Sequence, residues 1–384
     1  MWRIILIGVV LIAITLFGFS LVNVSGGTQG ETSTILEAPS TSIEGFARAD
    51  QPLDWQFPRD LGAHPDFQTE WWYYTGNVTA DTGEEFGFQF TIFRRAITPL
   101  VTDSDSEWRS NQLYLAHFTV SDLNAGDFYH EERYSRAGDG LAGATVDPVY
   151  RVWLENWQIQ AQDPDATLVN INAQADDFAI NLALEQVKPP ALQGQNGLSA
   201  KSAELGNASY YYSLSRLLTN GTITLGDKTY AVSGVSWKDH EFSTSALGTQ
   251  AQGWDWFGLI FDDNTELMMG DIRLIGGGTE PAFGGLYIRE DGTTQYLASS
   301  DFTITATETW TSPHTGAVYP SGWTININSG DLQLDFVITP AAKDQELTGS
   351  NVEYWEGAVR ITGDKTGVGY AELTGYVATM QGRF

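Results

Sequence analysis

Three successive titratable side chains stand inside the strand-like stretch SWKDHEFS: Asp239, His240 and Glu241. Successive side chains of a β-strand point to opposite faces, so the two carboxylates would share one face with Trp237. His240 would then share the other face with Phe242. In one interpretation His240 is an acid or base in an apolar cavity, assisted by a carboxylate from a neighbouring strand. In the other it donates to a backbone carbonyl, and Asp239 pairs with an arginine.

A second candidate acid lies further along the chain, in GWDWFGLIFDD and ELMMGDIR. The first segment places Trp254 and Trp256 on one strand face, and the second adds Asp271 on the same face as Arg273. Apolar burial would raise the pKa of Asp271 and make it a proton donor. Pairing with Arg273 or with the backbone is the alternative interpretation.

The stretch HPDFQTEWWYYTGN contains Glu70 followed directly by four aromatic residues. Alternation sends Trp71 and Tyr73 to one face, and Glu70 and Trp72 to the other. Such aromatic walls could bind a polyene or stabilise a carbocation through cation–π contact, or they could simply be core. We expect Arg94, from the later segment FRRA, to neutralise Glu70, since a buried carboxylate needs a partner.

Short runs rich in aromatic and β-branched residues carry these candidates, with turn residues between them, as in antiparallel all-β folds. No long stretch has the 3.6-residue period of an amphipathic helix. The segments EWWYYTGNVTADTGEEFGFQFTIFR and WDWFGLIFDDNTELMMGDIR have the same order of parts, which suggests two duplicated modules. We predict an N-terminal domain at 48–220 and a C-terminal domain at 221–384. The aromatic density favours barrels, although composition alone also allows two sandwiches.

Composition and missing motifs exclude several classes of function. The formal net charge of −28 repels phosphate backbones, so we expect no nucleic-acid partner. The chain has no cysteine, no nucleotide-binding glycine loop and no zinc-protease motif. Its five histidines are dispersed without metal-ligand spacing. We therefore expect neither a metal nor a cofactor.

Residues 1–23 form an almost entirely apolar run that is long enough to cross a bilayer as a helix. It is either an uncleaved membrane anchor or a signal peptide, and its length favours the anchor. Residues 24–47 are rich in Ser, Thr and Gly and have the composition of a flexible linker. The remaining chain is then extracytoplasmic, either held at the membrane by this segment only or secreted.

Taken together, the motifs FPRDLGAHPDFQTEWWYYTGNV, GVSWKDHEFSTSALG, GWDWFGLIFDDNTELM and YWEGAVRITG…GYAELTGY resemble the AttH/CrtC-type lipocalin-like family. This family includes the carotenoid 1,2-hydratases and many predicted secreted hydrolases. The resemblance runs from about Phe57 to the C-terminus. It implies an all-β chain of two tandem lipocalin-like antiparallel β-barrels after the N-terminal apolar helix. It also implies an extracytoplasmic location and, for many members, a link to an ABC-type transporter.

The resemblance assigns acid–base roles to His240 and Asp271, with no cofactor. Phe242 stands where the hydratases have Trp, and Met269 where they have Tyr, which weakens the expectation of carotenoid hydration. The expected ligand-binding residues are Trp71, Trp72, Tyr73, Trp237, Phe242, Trp254 and Trp256. Glu70, Arg94 and Asp239 would support them. The sequence leaves two hypotheses, a hydratase acting on an apolar isoprenoid and a non-catalytic lipid carrier that works with a transporter.

Overall fold

The computed structural model describes residues 43–99, 105–244, 247–349 and 352–380. All of them belong to one compact unit. The predicted apolar helix and most of the predicted linker lie outside the described residues. The end of that linker is described, and there Phe46 is buried against the rest of the chain. Within the described ranges, no helix has both the length and the apolar character needed to span a membrane.

Among the described residues, thirteen antiparallel strands build a first sheet. They are β1 (Thr69–Ala80), β2 (Glu85–Ala96), β3 (Gln112–Asp122), β4 (Asp127–Arg136), β5 (Ala142–Thr145), β6 (Arg151–Leu154), β7 (Trp157–Ala161), β8 (Leu168–Gln174), β9 (Phe178–Gln186), β10 (Ala191–Leu192), β11 (Leu198–Ala200), β12 (Ala208–Leu225) and β13 (Lys228–Ser243). The main path of the sheet is β4-β3-β2-β1-β13-β12-β9-β8-β7-β6-β5, and both β10 and β11 pair with β12.

The later strands build a second, ten-stranded sheet and a small two-stranded one, again counting described residues. They are β14 (Ala251–Phe261), β15 (Glu266–Leu274), β16 (Gly285–Ile288), β17 (Thr294–Leu297), β18 (Phe302–Ala306), β19 (Thr309–Thr311), β20 (Val318–Pro320), β21 (Trp323–Ser329), β22 (Leu332–Pro340), β23 (Glu346–Leu347), β24 (Tyr354–Gly363) and β25 (Gly367–Leu373). The order is β17-β16-β15-β14-β25-β24-β22-β21-β18, with β23 beside β24, while β19 pairs with β20. Three single 3-10 turns complete the described elements, at Arg59–Leu61, Gly138–Gly140 and Ser299–Asp301.

Each large sheet curls into a nearly closed antiparallel barrel around its own apolar core. The prediction of an all-β chain with two tandem barrels is therefore confirmed. The first core is lined by aromatic and aliphatic side chains such as Trp72, Phe88 and Trp157. The second core contains Phe257, Met269 and others.

The two hairpins that look alike in sequence occupy equivalent places in the two barrels. In the first sheet β1 pairs with β2 and with the last strand, β13, and in the second β14 pairs with β15 and with the last strand, β25. The predicted division between residues 220 and 221 nevertheless falls inside β12. The hairpin β12–β13 closes the first barrel, so the chain passes from one sheet to the other between Ser243 and Ala251.

Strands at the junction of the barrels have two buried faces. Along β1, Trp72 and Tyr74 enter the first core, whereas Tyr73 packs in a separate cluster with Trp256 of the second barrel. A strand that is buried on both faces needs apolar side chains at successive positions, without polar alternation. The four consecutive aromatic residues of EWWYY meet this need.

A buried ionic cluster also joins the two barrels. Glu266, on β15 and fully buried, accepts from Lys188 Nζ at 2.9 Å and from Arg216 Nε at 2.6 Å. Both basic residues belong to the part of the chain that builds the first barrel. These bonds connect β12 of the first barrel to β15 of the second barrel through side chains on their outer faces.

Candidate active site

Glu70 on β1 is the central acceptor of a buried ionic network inside the first barrel. It lies directly opposite Arg94 of β2, whose Nε donates to Glu70 Oε2 at 2.8 Å, as predicted. His64 Nδ1 and His240 Nε2 each lie 2.8 Å from Glu70 Oε1. The other ring nitrogen of His240 is 3.0 Å from the Tyr212 hydroxyl. Both nitrogens of His240 are thus engaged within the first barrel.

Two members of this network, Glu70 and His240, each keep the same charge near neutral pH. Burial opposes the ionisation of Glu70, but the charge of Arg94 and the hydrogen bonds from His240 and His64 hold its pKa well below the usual range. At His240 burial dominates and lowers the pKa to about 4. His240 is therefore a neutral, fully buried imidazole that holds Glu70 in place.

Three groups of the network also have the donor atoms of a metal site. The ligand atoms of His64, Glu70 and His240 lie within 4.8 Å of one another. Two imidazoles and a carboxylate would suit zinc or iron. However, the Glu70 carboxylate already accepts from Arg94, from both imidazoles and from the backbone N–H of His64. This saturation favours a hydrogen-bonded ionic network at this position.

Aromatic side chains enclose a cavity of about 90 Å³ where the two barrels meet. β1 contributes Trp71 and Tyr73, β12 contributes Tyr211, and β14 contributes Trp254 and Trp256. Four of these five were predicted as ligand-binding residues from alternation and resemblance. The cavity therefore lies outside both barrel cores, on the faces that the barrels turn toward each other.

Four carboxyl side chains reach the same cavity: Asp239, Glu241, Glu356 and Glu372. Glu356 on β24 and Glu372 on β25 are directly opposite each other in the antiparallel register. Side chains in such a pair have Cβ atoms only about 5 Å apart. Two carboxylates at that separation repel each other, and in a dry site the pair retains a proton.

Burial and mutual repulsion make Glu356 a carboxylic acid near neutral pH. Burial, with the charge of Glu372, raises the pKa of Glu356 well above its usual range. The Tyr73 and Tyr354 hydroxyls lie beside this carboxyl and lower its pKa. Even so, neither carboxyl oxygen has a hydrogen bond of normal length and angle with any described residue. An acid group without a hydrogen-bond partner thus lines an aromatic cavity.

Glu372 is the more easily ionised member of the pair. Burial raises its pKa to about 7, and the charges of Asp239 and Glu241 act in the same direction. Trp254 Nε1 donates to Glu372 Oε2 at 2.9 Å and favours the ionised form. Near neutral pH the pair therefore combines a proton donor, Glu356, with a partly ionised acceptor, Glu372.

Asp239 and Glu241 approach the cavity from β13, as alternation predicted. Asp239 accepts from Ser213 Oγ at 2.5 Å, from Trp237 Nε1 at 2.8 Å and from the Tyr211 hydroxyl at 2.9 Å. Burial nevertheless raises its pKa to about 7. Glu241 pairs with Lys201 Nζ at 2.8 Å, and Lys201 is the basic group among the described cavity-lining residues.

The structure does not bring His240 and Asp271 into one site. His240 points into the first barrel, whereas Asp271 lies opposite Asp255 on β14 and faces away from the cavity. Strand alternation is the reason, because Ile272 and not Asp271 lines the cavity. Burial, with the charge of Asp255, raises the pKa of Asp271 to about 6. Arg273, its expected partner, bonds Asp255 instead at 3.0 Å.

Three predicted ligand-binding aromatics also lie outside the cavity lining. Trp72 is in the first core, and Phe242 stacks on His64 with ring centroids 3.6 Å apart. Trp237 is buried between the barrels and acts through its bond to Asp239. The parity of β1 and β13 separates Trp72 and Phe242 from Trp71 and Asp239, which do reach the cavity. Trp237 shares the face of Asp239 but does not line the cavity.

The sequence analysis missed the facing glutamates, Glu356 and Glu372. Each is the single acidic residue in an apolar strand, in YWEGAV and YAELTGY, two segments in which no site residue was predicted. A lone carboxyl in a run that is otherwise buried on both faces is an available signal, because burial without a counter-ion raises a carboxyl pKa. That two such strands pair with their acids in register needed the structure.

Comparison with known proteins agrees with this architecture. The AttH-like family profile matches residues 48–376. The crystal structure of an AttH from Nitrosomonas europaea is 33% identical, covers 86% of this chain and 100% of its own, and superposes with a TM-score of 0.77.

A more distant likeness is to kievitone hydratase from Nectria haematococca. It is 14% identical, covers 88% of this chain and 98% of its own, and has a TM-score of 0.64, which establishes a shared fold. No curated protein sequence matches the chain. From the extent of the family match and from the Nitrosomonas relative, the chain belongs to the AttH-like family.

Proposed function

We propose that this protein binds an apolar, unsaturated molecule between its two barrels and adds water to a C=C bond of that molecule. The observation that carries the proposal is the facing pair Glu356–Glu372 in an aromatic cavity. Hydration of an isolated alkene needs a carboxyl that is protonated at the working pH, a site that tolerates a cation, and an acceptor for the proton of the attacking water. The pair and its aromatic surroundings supply these three elements.

In the proposed reaction, the proton that Glu356 donates is returned to it through Glu372. Glu356 transfers its proton to one alkene carbon, which leaves a carbocation on the other carbon and a carboxylate on Glu356. Water attacks the cation and gives its extra proton to the Glu372 carboxylate. Transfer of that proton across the pair, from Glu372 to Glu356, restores the starting state.

The aromatic walls suit the intermediate of this reaction. The faces of Trp71, Trp254 and Trp256 are electron-rich, and a cation near such a ring is stabilised by about 0.5–2 kcal/mol. The ionised form of Glu372 adds an opposite charge. A cavity of about 90 Å³ takes one end of a long chain, so the reacting bond would lie near an end of the ligand.

The shared fold with a hydratase supports this class of reaction without assigning the substrate. The expected acid–base pair is replaced in the proposal, because Glu356 reaches the cavity while His240 and Asp271 do not. The extracytoplasmic location and the ABC-type transporter expected from the sequence remain part of the proposal. Carriage of an unmodified lipid between membrane and transporter is the second candidate, since aromatic walls also suit passive binding.

A matched pair of ligands tests the proposed site. Protonated dimethyloctylamine resembles the carbocation, and the branched hydrocarbon of the same shape lacks the charge. Cation–π contact and the Glu372 carboxylate predict at least about tenfold tighter binding of the amine at pH 7, read from tryptophan fluorescence. The Glu372→Gln variant should lose most of this preference. Equal affinity for the two ligands would show that the cavity is not built around a cation and would favour simple carriage.

A further inference from the structure

His117 connects the outer surface of the first barrel with the second barrel. It lies on β3, is 2% exposed, and points away from the first core, whose lining on this strand comes from Ala116 and Phe118. Its Nδ1 is 2.7 Å from the Tyr354 hydroxyl, and its Nε2 is 3.1 Å from Glu132 Oε2. One imidazole thus bridges β4 of the first barrel and β24 of the second.

Tyr354 extends this bridge into the candidate active site. It lines the cavity and precedes Glu356 by two positions on β24, so both side chains lie on the same strand face. The Tyr354 hydroxyl stands beside the Glu356 carboxyl, outside full hydrogen-bond geometry. At the other end, the Glu132 side chain is 11% exposed and reaches solvent.

We propose that Glu132, His117 and Tyr354 form a proton relay through which Glu356 exchanges its proton with solvent. The chain has one consistent set of donors. The Tyr354 O–H donates to His117 Nδ1 and the His117 Nε2–H donates to Glu132. During transfer the Glu356 O–H would donate to the Tyr354 oxygen. A shift of each proton along its bond carries one proton from Glu356 to Glu132 and leaves Tyr354 and His117 uncharged, with His117 as its Nδ1–H tautomer. The reverse shift carries one proton inward and restores the Nε2–H tautomer.

The relay gives Glu356 a route to proton exchange with solvent that does not pass through the cavity. Glu356 is 1% exposed, and a bound apolar ligand would cover its cavity side. Phe93 lines the cavity and packs edge-on against the His117 ring at 5.3 Å, which helps to keep water away from this wall. The relay rests on the proposed function only in requiring that Glu356 carries a proton. His117 is accordingly a positioning and proton-transfer residue that does not touch the ligand.

Time-resolved infrared spectroscopy tests the relay without any substrate. The carbonyl band of a protonated Glu356 is assigned by its loss in Glu356→Gln, and its shift is followed after the full chain is mixed into heavy water. His117→Ala should slow this exchange at least about tenfold, and added imidazole should restore it. His117→Gln, which keeps polar contacts but does not relay protons, should be equally slow. Tyr354→Phe should also be slow.

The matched control is His130→Gln. His130 lies on β4 near Glu132, contacts Thr348 Oγ1 at 3.4 Å, and is not part of the chain. Its replacement should leave the exchange rate unchanged. A purely structural role for His117 would loosen the wall and accelerate exchange in its variants. Exchange in His117→Gln as fast as in the wild type, or faster, would overturn the relay. Loss of the protonated band altogether would instead remove the acid on which the proposed function depends.

Discussion

At the scale of single residues, Glu372 couples the folding equilibrium to pH. Its pKa rises to about 7 in the folded protein, against about 4.3 for an ordinary glutamate. Between these values the folded state binds more protons than the unfolded state, so the free energy of unfolding falls as pH rises through this window. The stabilisation is fully present below pH 4.3 and is lost as pH passes 7.

Replacing Glu372 with glutamine removes one titrating group from this window. The free energy of unfolding of Glu372→Gln should therefore depend less on pH than that of the wild type, by up to about 1.4 kcal/mol per pH unit. Urea unfolding between pH 4.5 and pH 8 measures the difference, and the exposed Glu290→Gln is the control. Parallel profiles for Glu372→Gln and the wild type would mean that this carboxyl titrates normally.

At the scale of elements, a buried charge pair joins the strands β1 and β2. Arg94 and Glu70 are fully buried and directly opposite, whereas Arg360 and Glu85 form an exposed pair. Arg94→Met leaves the Glu70 carboxylate without its cation and should cost about 3–5 kcal/mol of unfolding free energy. Arg360→Met should cost less than about 1 kcal/mol. Chemical denaturation of both variants gives the comparison, and similar losses would contradict the structural role of the buried network.

Strand alternation made much of the site predictable from sequence. It separated Asp239 and Glu241 from His240, and it placed Trp254 and Trp256 on the face away from Asp255, as the structure has them. Glu70 and Arg94 were expected to pair because an isolated buried carboxylate is costly, and they do. Alternation shows which side chains share a face of one strand, but it does not show which strands are neighbours or which faces meet.

The contacts between different strands could not be predicted from the alternation of residues within each strand. His240 and Asp271 have the right residue types, but they belong to strands whose relevant faces point into different barrels. The predicted boundary at 220/221 falls inside β12 for the same reason, since β12–β13 resembles any hairpin and only its pairing with β1 assigns it to the first barrel. The pair Glu356–Glu372 depends on the register of β24 and β25, which no local signal specifies.

At the scale of the whole molecule, the ionic cluster at Glu266 couples the two barrels. Glu266→Gln would leave Lys188 and Arg216 buried without their counter-ion, at a cost of about 3–5 kcal/mol at the junction. The wild type should unfold in one calorimetric transition, and the variant should separate into two because its barrels lose their connection. A single transition at an unchanged temperature in Glu266→Gln would show that apolar contacts alone join the barrels. Lys365→Met, which removes an ion pair within the second barrel, is the control.

The central claim is that the acid of this protein is Glu356, in the cavity between the barrels. The direct measurement is incorporation of oxygen from labelled water into a panel of isoprenoid alkenes, followed by mass spectrometry for the wild type, Glu356→Gln and Asp271→Asn. We expect product with the wild type, a loss of at least about a hundredfold in Glu356→Gln, and near wild-type rates in Asp271→Asn. Loss of labelling in Asp271→Asn with retention in Glu356→Gln would contradict the account.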